Sequence, residues 1–303
     1  GKLTEELRAQ ILAAETQVAV DDLYRPYRPK RRTRATIAKE KGLEPLANLI
    51  LLQMTNEPLE KEAEAFINEE KDVKTVEDAL KGANDIIAEH IADDAEYRTW
   101  IRKATWDHGK ITSSAKKPEE SSVFEMYYDF EEPIEKIAGY RILAINRGEK
   151  EGILQVKIEP DMQKIASYLA RKIITRKNPN TTKALFAAIE DSYKRLIAPS
   201  IERDIRNELT ENASTEAIKV FGKNLAQLLM QPPIAGQVVL GWDPAFRTGC
   251  KLAVVDATGK VLDTVVIYPT APQNKVEEAK KVVKALIKKY GITLISICLL
   301  YTS

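Results

Sequence analysis

The sequence has 303 residues, of which 44% are hydrophobic and 30% charged, and its net charge is +1. This composition excludes global disorder, and the longest apolar runs, Leu49 to Met54 and Ile295 to Leu300, are far shorter than the roughly 18 residues of a membrane span. Cys250 and Cys298 indicate neither a disulfide framework nor a zinc site, and the first residues lack the pattern of a secretory signal. We therefore expect a cytoplasmic protein without a membrane segment.

A basic segment follows the first predicted helix, for which Thr4 is the expected N-cap. From Tyr24 to Lys41 the chain carries eight cations and one acidic residue, a net charge of +7. Pro26 and Pro29 lack amide donors and push the residues before them towards extended geometry. The pattern predicts a stiff, exposed segment.

Two interpretations of this segment stay open. Arginine forks match the geometry of phosphate, and the rings of Tyr24 and Tyr27 can stack on bases. Alternatively, the arginines form salt bridges with helix C-termini and with the acidic stretch from Glu57 to Glu96, while the tyrosines pack. Under the first interpretation, the candidate nucleic-acid-binding residues are Arg25, Arg28, Lys30, Arg31, Arg32 and Arg34.

Short helices with brief connections are predicted between Leu43 and Gly109, and Thr75 is the expected N-cap of the helix from Val76 to Ile91. A bundle or a solenoid-like scaffold would contain them, although no fixed repeat is visible. His90 and His108 are the only histidines, and neither belongs to a catalytic or metal-ligand pattern. We expect His90 to be partly buried and His108 to lie at a helix C-terminus.

The next region is mixed. Residues 109–117 predict a small hairpin or a loop, residues 116–122 are typical of a linker, and residues 153–158 predict a strand. The aromatic residues from Phe124 to Phe130 are interpreted as locking helices together. A helix is expected to resume at Pro133.

From Met162 to Met230 the apolar residues return to helical spacing. Pro179 and Pro199 are expected to separate consecutive helices, and Ser200 is the expected N-cap of the helix after Pro199. This stretch would form the stem that carries a different, C-terminal domain.

Beyond Gln237 the pattern changes to short strands separated by Gly and Pro. Three strands are predicted up to Ile267, with Asp243 at the end of the first and Asp256 shaping the turn before the third. An amphipathic helix with a lysine-rich outer face and a fourth strand, from Ile292 to Ile297, follow. Three antiparallel strands, a helix and a further strand make the opening half of a ribonuclease-H-like fold.

Two stretches carry a resemblance to a known family. LGWDPAFRTGCKLAVVDATGKVLDTVVIYP, which begins at Leu240, resembles the YqgF-type domain of the bacterial transcription accessory protein Tex family. The stretch from Tyr24 to Ala47, YRPYRPKRRTRATIAKEKGLEPLA, is similar to that family's N-terminal helical region. The resemblance implies a nucleic-acid-associated role in transcription and leads one to expect helix-hairpin-helix and S1 RNA-binding domains, which this sequence does not contain.

The resemblance also bears on the end of the chain, because the family continues after the last predicted strand with a Gly-Asn-Gly-Thr type loop. Here Cys298 to Ser303 follows instead, which suggests a fragment with a truncated sheet. We expect the final six residues to be poorly ordered and the open sheet edge to favour self-association. Trp242 and Ala245 also depart from the family pattern.

Catalysis is not expected. Ribonuclease-H-like nucleases hold two divalent metals with several carboxylates, and Asp243 occupies the position of the first ligand. The next carboxylate would follow the strand that ends at Ile297, where the sequence has no acid. We therefore predict no catalytic residue, no metal ligand and no cofactor.

The sequence thus predicts a mainly α protein, with a multi-helical scaffold in residues 1–233 and a partial α/β ribonuclease-H-like, YqgF-type domain in residues 234–303. The predicted function is that of a non-catalytic transcription accessory protein with nucleic acid, RNA or DNA, and the transcription machinery as candidate partners. The alternatives are a metal-dependent resolvase-like nuclease and a helical interaction scaffold without direct nucleic-acid contact.

Overall fold

A computed structural model of the chain describes residues 3–28, 32–232 and 234–298. The chain divides into two compact units, Gly1–Val220 (unit 1) and Phe221–Ser303 (unit 2). The sequence-based boundary, between residues 233 and 234, lies a little further along the chain. The predicted fold class is confirmed, because a multi-helical region precedes a small α/β domain.

Several helices between residues 5 and 229 begin at the predicted caps, but the first predicted helix, expected to run as far as residues 21–23, is two helices separated at residues 14–16. The side-chain oxygen of Thr4 accepts a hydrogen bond from the Leu7 amide, and Thr75 and Asp78 form a reciprocal capping box, so both predicted N-caps are confirmed. The helices are α1 (Glu5–Ala13), α2 (Gln17–Tyr24), α3 (Arg34–Glu40), α4 (Glu44–Leu52), α5 (Leu59–Glu64), α6 (Val76–Asp93), α7 (Ala95–His108), α8 (Gly139–Lys150), α9 (Met162–Ile173), α10 (Pro179–Asp191) and α11 (Ala198–Leu229).

Helix α6 lies at the centre of unit 1 and packs against α3, α4, α5 and α10. Ala79 and Ala83 on α6 are fully buried, and Ala35 and Ala38 on α3 are only 4% and 2% exposed. Small side chains on both helices let the two backbones approach closely, and burial of the larger Ile and Leu side chains around them supplies the apolar free energy of the core.

Unit 1 also contains a three-stranded antiparallel sheet with the order β2-β1-β3, formed by β1 (Lys110–Ala115), β2 (Asp129–Pro133) and β3 (Leu154–Glu159). Of residues 109–117, predicted as a hairpin or a loop, residues 110–115 form the central strand of a sheet, and the strand predicted at 153–158 is confirmed. Strand β2 was not predicted. Phe124 and Tyr127 are buried beside it, and the backbone at Pro133 continues into a 3-10 turn before α8 begins.

The prediction of a helix break at Pro199 was wrong. A π-helical segment, Ser192–Ile197, joins α10 to α11, so the chain is helical from Pro179 to Leu229. The wider π turn changes the hydrogen-bond pattern just before the proline, which has no amide to donate. Ser200 is consequently an interior helix residue, and its hydroxyl donates to the Ile197 carbonyl oxygen at 2.9 Å.

Unit 2 contains a four-stranded sheet covered on one face by a helix. Strand β4 (Val239–Asp243) pairs antiparallel with β5 (Cys250–Val255) and parallel with β7 (Leu294–Ile297), and with β6 (Val261–Ile267) the sheet order is β6-β5-β4-β7. Leu240, Leu252 and Val254 form its core together with Ala279 and Leu286 of the helix. The helix is α12 (Val276–Tyr290), and it lies between β6 and β7 along the chain, as the sequence predicts.

The turn between β5 and β6 confirms the role predicted for Asp256. Its Oδ1 accepts hydrogen bonds from the Thr258 hydroxyl at 2.7 Å and from the amides of Thr258 and Lys260 at 2.9 and 3.0 Å. These hydrogen bonds, first that of the Thr258 side chain, lower the pKa of Asp256. The final six residues were expected to be poorly ordered. Of these, the structure describes only Cys298, which is exposed, and residues 299–303 lie outside the described residues.

Candidate nucleic-acid interface

The basic segment begins with a tight turn. Helix α2 ends at Tyr24 and is followed by a 3-10 turn, Arg25–Tyr27, so Arg25 has helical backbone angles, contrary to the extended geometry predicted before Pro26. Pro26 fits there because a first-turn position needs no amide donor. Arg28, which precedes Pro29, is extended as predicted, with φ −65° and ψ 133°.

A buried ion-pair cluster anchors this turn to the rest of unit 1. The Asp22 carboxylate accepts from Arg98 Nε at 2.6 Å and from Arg102 Nη2 at 2.7 Å. Arg98 is fully buried and also donates to the Ser200 hydroxyl at 2.6 Å, while Arg102 reaches Asp204 at 3.2 Å. The cluster therefore joins α2 to α7 and α11.

Burial lowers the pKa of Arg98, and the charge and hydrogen bond of Asp22 oppose that effect. A guanidinium removed from water is stable only when its donors are matched, and here one carboxylate and one hydroxyl supply acceptors at short distance. The cluster fixes the start of the basic segment, and its central pair, Arg98 and Asp22, is shielded from solvent.

The candidate arginines differ in their surroundings. Arg25 is partly buried, with its Nε 3.9 Å from Asp22 Oδ1. Arg28 is exposed and its side chain forms no ion pair in the described part of the chain. Lys30 and Arg31 lie outside the described residues.

Further along, Arg32 forms an exposed ion pair with Glu40 at 2.8 Å. Arg34 is exposed at the start of α3, near Asp85 and Asp191. Burial raises the pKa of Asp85, against the charges of Arg195 and Arg34, whereas hydrogen bonding from Arg195 lowers the pKa of Asp191. Salt bridging thus accounts for part of the segment's charge, and the phosphate-contact interpretation of these residues stays a prediction.

A cleft of about 690 Å³ opens beside the turn, between α2, α6 and α11. Tyr24 and Tyr27 are 48% and 36% exposed, so neither ring is buried in the core. Arg28 and Arg203 line the cleft together with acidic side chains such as Asp93. Its wall therefore presents both signs of charge, with cationic and aromatic groups at the turn.

The other candidate chemistry centres on Asp243, at the end of β4, where the sequence predicts it. Its register partner on β5 is Lys251, a cation, and β7 ends at Ile297 without a carboxylate. Residues 3–28, 32–232 and 234–298 contain no group of three or more acidic, histidine or cysteine side chains placed to hold a metal.

The histidines take no part in either site. His108 ends α7, as predicted, but His90 is exposed rather than partly buried, because it lies on the solvent side of α6 next to its C-terminus.

Sequence analysis missed the buried cluster, whose members lie 76 and 102 residues apart along the chain. A weak signal existed: Arg98 shares a helical face with Ile101 and Thr105, positions at which a buried side chain is expected. Nothing in the sequence identified Asp22 and Ser200 as its partners.

Comparison with known proteins supports the sequence-based resemblance. The Tex central region-like family model matches residues 54–221, and the Tex protein YqgF-like domain model matches residues 237–299. None of the helices in the described part of the chain combines the length and hydropathy that a bilayer span requires.

Curated relatives align along almost the whole chain. The chain is 51% identical over 299 residues to the uncharacterized protein YdcI of Bacillus subtilis, and 38% identical over 304 residues to the transcriptional accessory protein Tex of Neisseria gonorrhoeae. It is 32% identical over 314 residues to the S1 RNA-binding domain-containing protein 1 of Homo sapiens. Each alignment covers 98% of this chain, but only 42%, 39% and 31% of the respective relative. The central-region model alone matches more than half of this chain, and the chain therefore belongs to the Tex family of transcription accessory proteins.

Proposed function

We propose that the chain is part of a non-catalytic transcription accessory protein that associates with nucleic acid, RNA or DNA, through its basic segment. Family membership supports the role in transcription, and the human relative is named for an S1 RNA-binding domain. The observation that carries the proposal is the exposed Arg28, which forms no ion pair within the described residues and lies beside Tyr24 and Tyr27 on a turn held in place by Asp22.

Anchoring makes this turn a suitable phosphate contact. Asp22 is bound by two arginines of α7, so the turn has little conformational freedom left to lose when a ligand binds. Arginine presents a planar fork to phosphate, and exposed tyrosine rings offer stacking surfaces to unpaired bases. The Arg32–Glu40 pair is exposed on both sides, and such pairs contribute only about 0–1 kcal/mol, so a phosphate can replace Glu40.

The test is binding of labelled single-stranded RNA and duplex DNA over a series of salt concentrations. We expect Arg28→Ala combined with Arg32→Ala and Arg34→Ala to weaken binding of every sequence similarly. The slope of log affinity against log salt concentration should fall by about 1 per lost phosphate contact.

A matched control removes three cations elsewhere on unit 1, with Lys61→Ala, Lys103→Ala and Lys194→Ala. These lysines are exposed and each forms an i,i+4 ion pair, so the net charge change is equal. Equal losses for the two triple variants would contradict a specific role of the basic segment.

A second candidate function is a helical scaffold that docks on the transcription machinery without touching nucleic acid. The pairing of Arg25 with Asp22 and of Arg32 with Glu40 favours it, since both arginines already have anionic partners. Absence of nucleic-acid binding in the wild type as well as in the basic-segment variant would select this function.

The non-catalytic part of the proposal is tested separately. Labelled RNA and DNA, including branched duplexes, are incubated with the protein and Mg²⁺ or Mn²⁺, and we expect no cleavage because Asp243 belongs to no group of three or more metal-ligating side chains in the described residues. Metal-dependent cleavage that Asp243→Asn abolishes would establish a nuclease instead.

The proposal also places the protein in the cytoplasm, where the free thiols of Cys250 and Cys298 stay reduced.

A further inference from the structure

Helix α12 of unit 2 has a cationic outer face. Ala279 and Leu286 are buried against the sheet, which defines the inner side of the helix. Lys281, Lys284 and Lys288 are exposed and, at spacings of three and four residues, share one stripe on the opposite side. We call these three residues the lysine ridge.

The glutamates nearest to the lysine ridge form ion pairs with other lysines. In α12, Glu277 pairs with Lys280 at 2.8 Å and Glu278 pairs with Lys275 at 3.6 Å. Lys289, on another side of the helix, pairs with Asp263 at 3.4 Å.

By contrast, none of the three ridge lysines forms an ion pair within the described residues. One of them, Lys288, lies in the last turn of the helix, where the macrodipole favours a cation. Lys281 and Lys284 lie further from that end, so this effect does not account for the ridge as a whole.

The dimensions of the ridge match a nucleic-acid backbone. Seven residues of α-helix rise about 10 Å, while phosphates of one duplex strand recur about every 3.4 Å along the axis, so the ridge spans about three of them. Long, flexible lysine side chains can adjust to the exact phosphate positions.

The chemistry of the ridge favours nucleic acid over a protein partner. Protein interfaces have a desolvated core rich in aromatic and aliphatic side chains and poor in lysine, whereas the ridge consists of point charges with only Ala285 between them. Contacts of this kind position a phosphate backbone without reading its sequence.

We propose that the lysine ridge of α12 is a second, sequence-independent contact for the phosphate backbone of nucleic acid. It rests on the proposed association with nucleic acid, but not on the basic segment of unit 1, and it gives unit 2 a binding role of its own.

The experiment compares five proteins by binding to a 20-bp duplex and to single-stranded RNA over a series of salt concentrations. They are the wild type, the ridge variant (Lys281→Gln, Lys284→Gln and Lys288→Gln), the basic-segment variant described above, the combination of both, and a control (Lys275→Gln, Lys280→Gln and Lys289→Gln). The control removes the same charge from the same unit at lysines that already have acidic partners.

We expect the ridge variant to bind duplex DNA at least tenfold more weakly at low salt, with a salt slope smaller by about 2.7, and the control to change much less. A ridge variant that binds like the wild type, or a control that loses as much as the ridge variant, overturns the ridge proposal.

The two proposals fail separately. If only the basic-segment variant loses affinity, the basic segment is the contact and the ridge is a solvated helix face. If only the ridge variant loses affinity, unit 2 is the contact and the basic segment has a structural role. A wild type that binds neither ligand overturns both.

Discussion

The two units of this protein place their charged side chains in opposite ways. In unit 1, Asp22 and Arg98 are buried and paired, whereas the core of unit 2 contains only apolar side chains and Cys250 among its buried members. Every buried charged or polar side chain in the described residues belongs to unit 1. The cations of unit 1 therefore serve partly as structural partners, while those of the unit 2 lysine ridge have no such role.

This difference shows why charge counted along a sequence overstates the charge that is free to bind. The segment from Tyr24 to Lys41 has a net charge of +7 in sequence, yet Arg25 and Arg32 have acidic neighbours in the fold. Lys281, Lys284 and Lys288 were predicted only as part of a lysine-rich helix face, and within the described residues the fold gives none of them an ion-pair partner.

The largest expected loss of stability comes from a substitution that breaks the buried Asp22–Arg98 ion pair of unit 1. In Asp22→Asn the fully buried Arg98 loses its carboxylate partner, and leaving a buried charge unpaired costs about 3–5 kcal/mol. Hydrogen exchange followed by mass spectrometry should show faster exchange in α2 and α7, with β4 and β5 unchanged.

The matched control is Asp107→Asn, which breaks the exposed Lys103–Asp107 pair of the same helix. We expect a change below about 0.5 kcal/mol there. A similar, small effect of both variants would contradict the view that buried ion pairs hold unit 1 together.

A smaller effect is expected from backbone substitutions in unit 2. Gly249 has φ 81°, and a Cβ there would lie 2.5 Å from Tyr268 Cε1 and 2.8 Å from Val266 Cγ1. Gly249→Ala combines a left-handed residue with overpacking, so the free energy of unfolding of unit 2 should fall by about 3 kcal/mol. Amide exchange in β5 and β6 measures this loss.

Gly259 provides the comparison, because its φ of 88° is similar but no atom lies within 4 Å of the added Cβ. Gly259→Ala should cost only about 1 kcal/mol, the conformational part alone. Equal losses in the two variants would show that the packing around Gly249 relaxes freely.

The smallest expected effect is a pH dependence in unit 2. Hydrogen bonds from Thr258 and Lys260 lower the pKa of the Asp256 carboxyl in the folded state. A lowered folded pKa means that its stabilising contribution is present above the unfolded value, near 3.9, and is lost as the pH falls through the folded pKa.

NMR titration of the Asp256 carboxyl should therefore give a midpoint below about 3.9. Asp256→Asn keeps the acceptor oxygen but does not titrate, so it should remove this part of the acid sensitivity. A midpoint at or above the ordinary value would contradict the hydrogen-bonded turn.

Local patterns in the sequence were sufficient wherever a structure depends on neighbouring residues. The threonine cap at Thr75, the turn at Asp256 and the strand and helix order of unit 2 were all predicted, because caps, Asx turns and period-2 alternation each involve only a few consecutive residues. The family resemblance was also readable from two short stretches.

Tertiary structure decided the features that depend on distant partners. Strand β2 exists because β1 supplies its hydrogen-bond partners, and Pro199 remains inside a helix because a π turn accommodates it. Arg98 is buried because Asp22 and Ser200, far away in sequence, accept hydrogen bonds from its Nε and Nη2, and the Ala92 carbonyl oxygen accepts one from Nη1. The sequence alone determined which cations the protein has, and only the fold decided which of them are paired, since pairing depends on distances that local sequence does not contain.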